Sequence, residues 1–165
     1  MPTNTFAIQE LAKLGISTSV AIQGVDSELF YPIENKPKNK RFNIGSFGKF
    51  EYRKGQDIVI AAYAKLHRQY PDIHLIAGWG NLWPETMNSM VKSEHIRYTA
   101  ASLTAGWREN IEYNMKREGI PRDRYTLLDM MPHHEMPFTY HRCDVAVFPN
   151  RVEAGTNMPL MECAS

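Results

Sequence analysis

Short apolar runs alternate along this chain with segments whose apolar residues recur every three to four positions. The runs over residues 42–47, 74–77, 125–128 and 145–148 are closed by Gly48, Gly78, Asp129 and Pro149, the signature of short buried strands. Between the first two, Ile58, Val59, Ala62, Tyr63 and Leu66 fall on one side of a 3.6-residue period and predict a helix over 56–70. Further helices are predicted over 5–14, stopped by Gly15, over 107–118, closed by Gly119 and Pro121, over 133–142, and from 155 onward. Residues 17–22 alternate and are rich in β-branched side chains, which predicts one more strand before the Gly24-Val25-Asp26 turn. Residues 35–40 read as a polar loop, and residues 81–105 show no clean period.

From residue 42 the order is β-α-β-α-β-α-β-α. Short apolar strands joined by helices predict a parallel sheet with helices on both faces. Ligands of such sheets bind at the carboxyl ends of the strands, so the informative loops follow Phe47, Ala77, Leu128 and Phe148.

Composition narrows the class without changing it. The 165 residues suffice for one domain and are few for two. With 43% hydrophobic and 22% charged residues and a net charge of +1, there is no global basic field for nucleic acid or an anionic membrane. Lys36, Lys38, Lys40 and Arg41 read as a solvated linker. Cys143 and Cys163 have neither metal-ligand nor disulfide-framework spacing and are expected as buried thiols of a reducing compartment. The longest apolar run, 58–64, is far short of a membrane span, and residues 1–4 begin no signal-peptide pattern. A cytoplasmic protein is expected, with peripheral attachment at the inner face of the membrane as the alternative.

Two loops carry candidate chemistry. The first runs Gly45-Ser46-Phe47-Gly48-Lys49-Phe50-Glu51-Tyr52-Arg53-Lys54-Gly55 into a helix. Its glycine spacing fits neither a P-loop nor a dinucleotide fingerprint. It sets two lysines and an arginine beside a helix N-terminus, where backbone N–H groups and the helix dipole suit phosphate; a solvated charged loop is the competing reading. The second runs from Pro149-Asn150-Arg151 through Glu153 and Gly155-Thr156-Asn157-Met158-Pro159 to Glu162. Gly155 admits close backbone approach, Thr156 or Asn157 can cap the next helix, and Pro159 fits its first turn. Glu153 and Glu162 are candidate acceptors for sugar or ribose hydroxyls.

Taken in order, Gly48-Lys49…Lys54-Gly55, Ala77-Gly78-Trp79-Gly80, Asp144-Val-Ala-Val-Phe-Pro149 and Glu153-Ala-Gly-Thr-Asn-Met-Pro-Leu-Met-Glu162-Cys-Ala resemble the retaining glycosyltransferases of the GT4 family (group 1). The resemblance runs from about Gly24-Val25-Asp26…Phe30-Tyr31-Pro32 to the end of the chain. It implies a Rossmann-like α/β fold, the C-terminal donor-binding half of a GT-B architecture truncated at its C-terminal end. Residues 1–32 would be the interdomain or entry segment and 33–165 an incomplete nucleotide-sugar-binding domain, the N-terminal acceptor-binding domain lying outside this sequence. The implied donor is a nucleoside diphosphate sugar, used without metal or cofactor and transferred with retention to a glycan, lipid or polysaccharide precursor. This chain alone is expected to be inactive. Nucleic acid is not an expected partner, nor is a transmembrane segment expected.

Site roles follow from the same resemblance. Lys49, where the family has an arginine, and Lys54 would hold the donor diphosphate beside Gly48, stabilising charge on the leaving group. Lys49 keeps the charge and loses the bidentate fork. Glu153 would lie near the transferred sugar and Glu162 on the ribose hydroxyls; Gly155, Thr156, Asn157 and Met158 would form the backbone cradle of the diphosphate and sugar. The usual motif leaves seven residues between its glutamates, whereas eight separate Glu153 from Glu162, with Ala154 at the counted position. Two other readings share these features: a catalytically silent nucleotide-sugar or phosphosugar module, and a non-transferase GT-B enzyme such as an epimerase or phosphorylase. Outside the two loops, adjacent His133 and His134 point about 100° apart on a helix and chelate poorly. Trp79 is a candidate for stacking on a base, with an ordinary loop aromatic the favoured reading, and the loop at 129–132 sits where the family contacts the nucleobase.

Overall fold

The computed structural model describes residues 4–36, 38–98, 106–153 and 155–165. Its contacts separate two compact units, Ile33–Val152 and the pair of segments Met1–Pro32 and Glu153–Ser165.

The larger unit is built on a four-stranded parallel sheet: β1 (Phe42–Phe47), β2 (Ile73–Gly78), β3 (Tyr125–Leu128) and β4 (Val145–Ala146), in the order β3-β2-β1-β4. Register runs Ile44 against Leu75 and Val145, and Leu75 against Tyr125. The chain steps outward from β1 to β3 and then returns to the opposite side of β1. That reversal makes the crevice between β1 and β4 a topological switch point, where ligands of open α/β sheets bind.

Helices α2 (Gln56–Gln69) and α4 (Trp107–Arg117) share one core with the sheet, alongside α3 (Pro84–Met87) and the 3₁₀ turn Asn88–Lys92. This core contains Ile44, Leu75 and Ala77 from the strands, Val59, Ile60 and Tyr63 from α2, and Ile111 and Met115 from α4. Full burial of a valine, leucine, isoleucine or methionine side chain contributes roughly 1.5–3 kcal/mol. Phe47 points away from this cluster and meets the edge of Tyr140 from α5 (Met136–Tyr140) at 4.9 Å between ring centres. The expected sheet with helices thus stands.

Several sequence expectations change in detail. Residues 145–148 pair only at Val145–Ala146, although the Val147 N–H still donates to the Gly45 carbonyl at 2.8 Å. Residues 133–142 form a 3₁₀ turn, His133–Glu135, followed by the short α5. The stretch without a period resolves, in its described part, into α3 and the adjoining 3₁₀ turn, whose few turns are too short to display one. The basic loop is tied down rather than only solvated. Lys36 bonds the Cys143 carbonyl and pairs with Asp144 (3.7 Å), while Arg41 pairs with Asp72 (3.4 Å) and Asp123 (3.5 Å). Lys38 and Lys40 are exposed.

The smaller unit contains α1 (Thr5–Lys13), capped by Asn4 Oδ1 accepting from the Ala7 N–H at 2.8 Å, and α6 (Met158–Ala164). Residues 17–22 form no strand. Their β-branched composition favours extended backbone, yet a strand needs a hydrogen-bonding neighbour and none runs beside them among the described residues. Among the described residues, no helix is long and apolar enough to cross a membrane.

Candidate functional site

The loop after β1 is shaped by three devices. Gly48 takes φ +121°, a backbone conformation that side chains resist, and its N–H donates to the Gly78 carbonyl at 3.0 Å. Gln56, buried at the start of α2, donates from Nε2 to the carbonyls of Gly48 (3.1 Å) and Lys49 (2.7 Å) and accepts from the Glu51 N–H (3.3 Å). Gly55, at φ +76°, lets the loop close against the strand-β4 side of the crevice: a Cβ there would run into the Pro149 carbonyl oxygen.

These devices bring Gly48, Lys49 and Lys54 together. A Cβ on Gly48 would meet the Lys54 Cδ at 3.8 Å, so the lysine stem lies across the glycine. Lys49 directs its ammonium onto the Trp83 ring, 4.4 Å from its centre. Arg53, the third cation of the loop, turns instead to buried Glu51, with Nε 2.7 Å from Oε1.

Gly48 and Lys49 also line a cavity of about 190 Å³ over the carboxyl ends of β1, β2 and β3. Gly78, Gly80, Asp129 and the methionines Met130, Met131 and Met136 complete much of its wall. At Gly80 an added Cβ would lie 3.1 Å from the Met130 Sδ, so the two loops are in close contact. The cavity therefore combines one cation, Lys49, with a soft, polarisable wall of methionines. Trp79 takes no part in it. Trp79 is fully buried, its Nε1 donates to Ser46 Oγ (3.1 Å), and its ring stacks with Phe50.

Sequence reasoning gave no role to Asp57 or Arg151. Asp57, in the first turn of α2, is fully buried and receives both nitrogens of the Arg151 fork, Nη1 on Oδ1 at 2.7 Å and Nη2 on Oδ2 at 2.8 Å. Ser93 Oγ donates to Oδ2 at 2.6 Å. Burial alone would raise the Asp57 pKa, but the hydrogen bonds from Arg151 and Ser93 outweigh it and hold the carboxyl below its ordinary value. An aspartate at a helix start and an arginine on a loop read as a cap and a solvated charge, so only their pairing and the burial of Asp57 distinguish them.

The remaining predicted residues, Glu153, Gly155, Thr156, Asn157, Met158 and Glu162, belong to the smaller unit. Asn157 occupies the N-cap of α6, though its side chain makes no cap bond, and the Met161 N–H donates to its carbonyl at 3.1 Å. The helix therefore begins at Met158 and not at Gly155, with Pro159 in its first turn. Glu162 is buried on α6. Ala154, the counted motif position, lies outside the described residues. Cys143 is buried, Cys163 is half-buried, and they form no disulfide.

Comparison with known proteins places this geometry. A family model described as "Glycosyl transferases group 1" matches residues 28–164. The C-terminal domain of a glycosyl transferase group 1 family protein from Francisella tularensis aligns with a TM-score of 0.59 at 23% identity, covering 85% of this chain and 65% of that one. Sucrose-phosphate synthase from Thermosynechococcus elongatus aligns with a TM-score of 0.59 at 22% identity, covering 93% of this chain and 36% of that one. At such identities the likeness shows the fold, the Rossmann-like C-terminal half of a GT-B architecture. This chain spans less than two thirds of the length of either. No curated protein matches the sequence.

Proposed function

The chain belongs to the group 1 glycosyl transferases, and on that premise we propose that its larger unit binds the diphosphate of a nucleoside diphosphate sugar, the donor for a retaining, GT4-type transfer. One observation supports this most: Gly48, Lys49 and Lys54 converge at the carboxyl end of β1, beside a cavity at the ends of β1, β2 and β3. Lys49 and Lys54 would pair with the diphosphate oxygens and stabilise the charge that grows on the leaving group, with no metal required. Removing one such donor typically raises a barrier by about 2.7–4 kcal/mol.

On the sequence motif alone the proposal extends to Glu153 and Glu162 as acceptors for sugar and ribose hydroxyls, and to Gly155, Thr156, Asn157 and Met158 as backbone contacts. The acceptor domain would come from the rest of a longer protein.

A thermal-shift titration with UDP, GDP and ADP in the absence of metal tests the reading. Ligand at 100 times its Kd adds about 2.7 kcal/mol, a rise of several degrees for a domain of this size. A shift with one nucleotide that disappears in Lys54→Ala is the expected result. No shift with any of the three, from a chain that melts cooperatively, would refute donor binding by this chain.

A further inference from the structure

The loops after β1 and β4 are joined into one hydrogen-bonded body, and a single arginine makes most of the joint. Besides forking onto Asp57, Arg151 donates from Nη1 to the Tyr52 carbonyl (2.6 Å) and lays its guanidinium on the Tyr52 ring, 3.8 Å from its centre. Its backbone N–H donates to the Arg53 carbonyl at 2.8 Å, and the next N–H, of Val152, reaches the same oxygen at 3.4 Å. Arg151 thus holds the carbonyls of two of the three residues in the turn Tyr52–Lys54, and through Asp57 it holds the first turn of α2 that follows. Ser93 and Ser89 extend the joint: Ser93 bonds Asp57, and Ser89 Oγ accepts from the Tyr52 N–H at 3.1 Å.

This arrangement argues against Arg151 as a phosphate ligand. Both guanidinium nitrogens of the fork are committed to Asp57, whose fully buried carboxylate would be left without a counter-charge if the arginine swung away. The geometry also demands arginine. An ammonium could satisfy one Asp57 oxygen or the Tyr52 carbonyl, but it could not present the planar fork and stack on Tyr52 together.

We infer that Arg151 and Asp57 are positioning residues for donor binding, a clamp anchored on a buried carboxylate that presets the Tyr52–Gly55 backbone and hence the place of Lys54 before any nucleotide arrives. The inference rests on the donor-binding reading for its ligand, while the clamp itself can be measured without one. A preset loop spends none of the binding energy on being ordered.

Amide hydrogen exchange of the unliganded chain, compared between wild type and Arg151→Lys, reads the clamp directly. Exchange across residues 51–58 should quicken at least tenfold in the variant, with strand β2 unchanged. In parallel, Kd is measured well below the melting temperature for whichever of UDP, GDP or ADP binds the wild type, and it should rise at least tenfold. Unchanged exchange in 51–58, or a Kd within twofold of wild type, overturns the inference. If no nucleotide binds the wild type, the donor reading and the positioning role fall together, while faster loop exchange still marks the clamp as structural. Ser93→Ala leaves the fork whole and gives a milder step in both readouts. Should Arg151→Lys not fold, an unaltered 51–58 segment in Ser93→Ala overturns the inference equally.

Discussion

The ammonium of Lys49 rests 4.4 Å from the centre of the Trp83 indole, on a ring that is half exposed. A cation–π contact at such a site is worth about 0.5–1 kcal/mol. Phosphate oxygens offer the same ammonium a charge-assisted hydrogen bond, roughly twice as strong as a neutral one. The indole is therefore a weak competitor for the cation that the proposed donor needs. Trp83→Leu should tighten nucleoside diphosphate binding by about 2- to 5-fold, the equivalent of the lost contact. Isothermal titration of both proteins checks it, and weaker binding in the variant would instead make Trp83 part of the binding surface.

Gly55 is the tightest point of the crevice, at φ +76° with the Pro149 carbonyl where a side chain would stand. Gly55→Ala incurs backbone strain of about 1–3 kcal/mol and overlap of about 1–3 kcal/mol more. Urea denaturation should show a loss of that combined order. By contrast Gly119→Ala, at the same φ of +76° with open space around it, should show the strain alone.

Acid should weaken the Arg151–Asp57 clamp in a defined window. The Asp57 carboxyl is held below its ordinary 3.8, because hydrogen bonds from Arg151 and Ser93 outweigh the opposing effect of burial. A carboxyl lowered on folding contributes stability that is complete above the unfolded value and is lost as pH falls through the folded one. Stability measured by denaturant should thus decline below about pH 4. Asp57→Asn, less stable at pH 6, should show a shallower decline.

His74 works in the same direction nearer neutrality. Burial first, and then the charge of Arg41, lower its pKa below 6.5, and its Nε2 lies 2.9 Å from Thr126 Oγ1 across β2 and β3. The unfolded chain therefore binds this proton before the folded one does, so stability present above pH 6.5 erodes as pH falls through the lower, folded value. His74→Gln should flatten the stability profile between pH 7 and pH 5, as read by denaturant titration.

The sequence was most legible where local signals coincided with the core. Phe42–Phe47 and Tyr125–Leu128 emerged at their predicted limits because apolar runs and their boundaries are local properties. Helix α2 ended one residue short of its predicted limit, and its packed face was displaced: Val59 and Tyr63 are buried as expected, together with Ile60 and Ala64, while Ala62 and Leu66 of the predicted stripe are exposed. Residues 17–22 carried an equally good strand pattern and formed none, since pairing depends on a neighbour that composition does not supply. Trp79 read as a loop aromatic near the ligand and proved to be core, because the strand's end turns its side chain toward Phe50. In the candidate site, the glycines and lysines were visible as a motif. Gln56, Asp57 and Arg151 were not, because their importance lies in contacts spanning up to 99 residues and in burial that no single residue type announces.

The close fit of Gly55 beneath Pro149 and the bonds from Arg151 to the turn at Tyr52–Lys54 mean that neither loop is a separate module for engineering. Grafting a relative's loop at 48–57 while retaining the resident 147–152 would mismatch a backbone contact and the buried Asp57 charge at once. Swaps intended to change donor preference should travel as a two-segment cassette, and library diversity is better spent on Met130, Met131 and Met136, whose flexible side chains can change without moving either backbone.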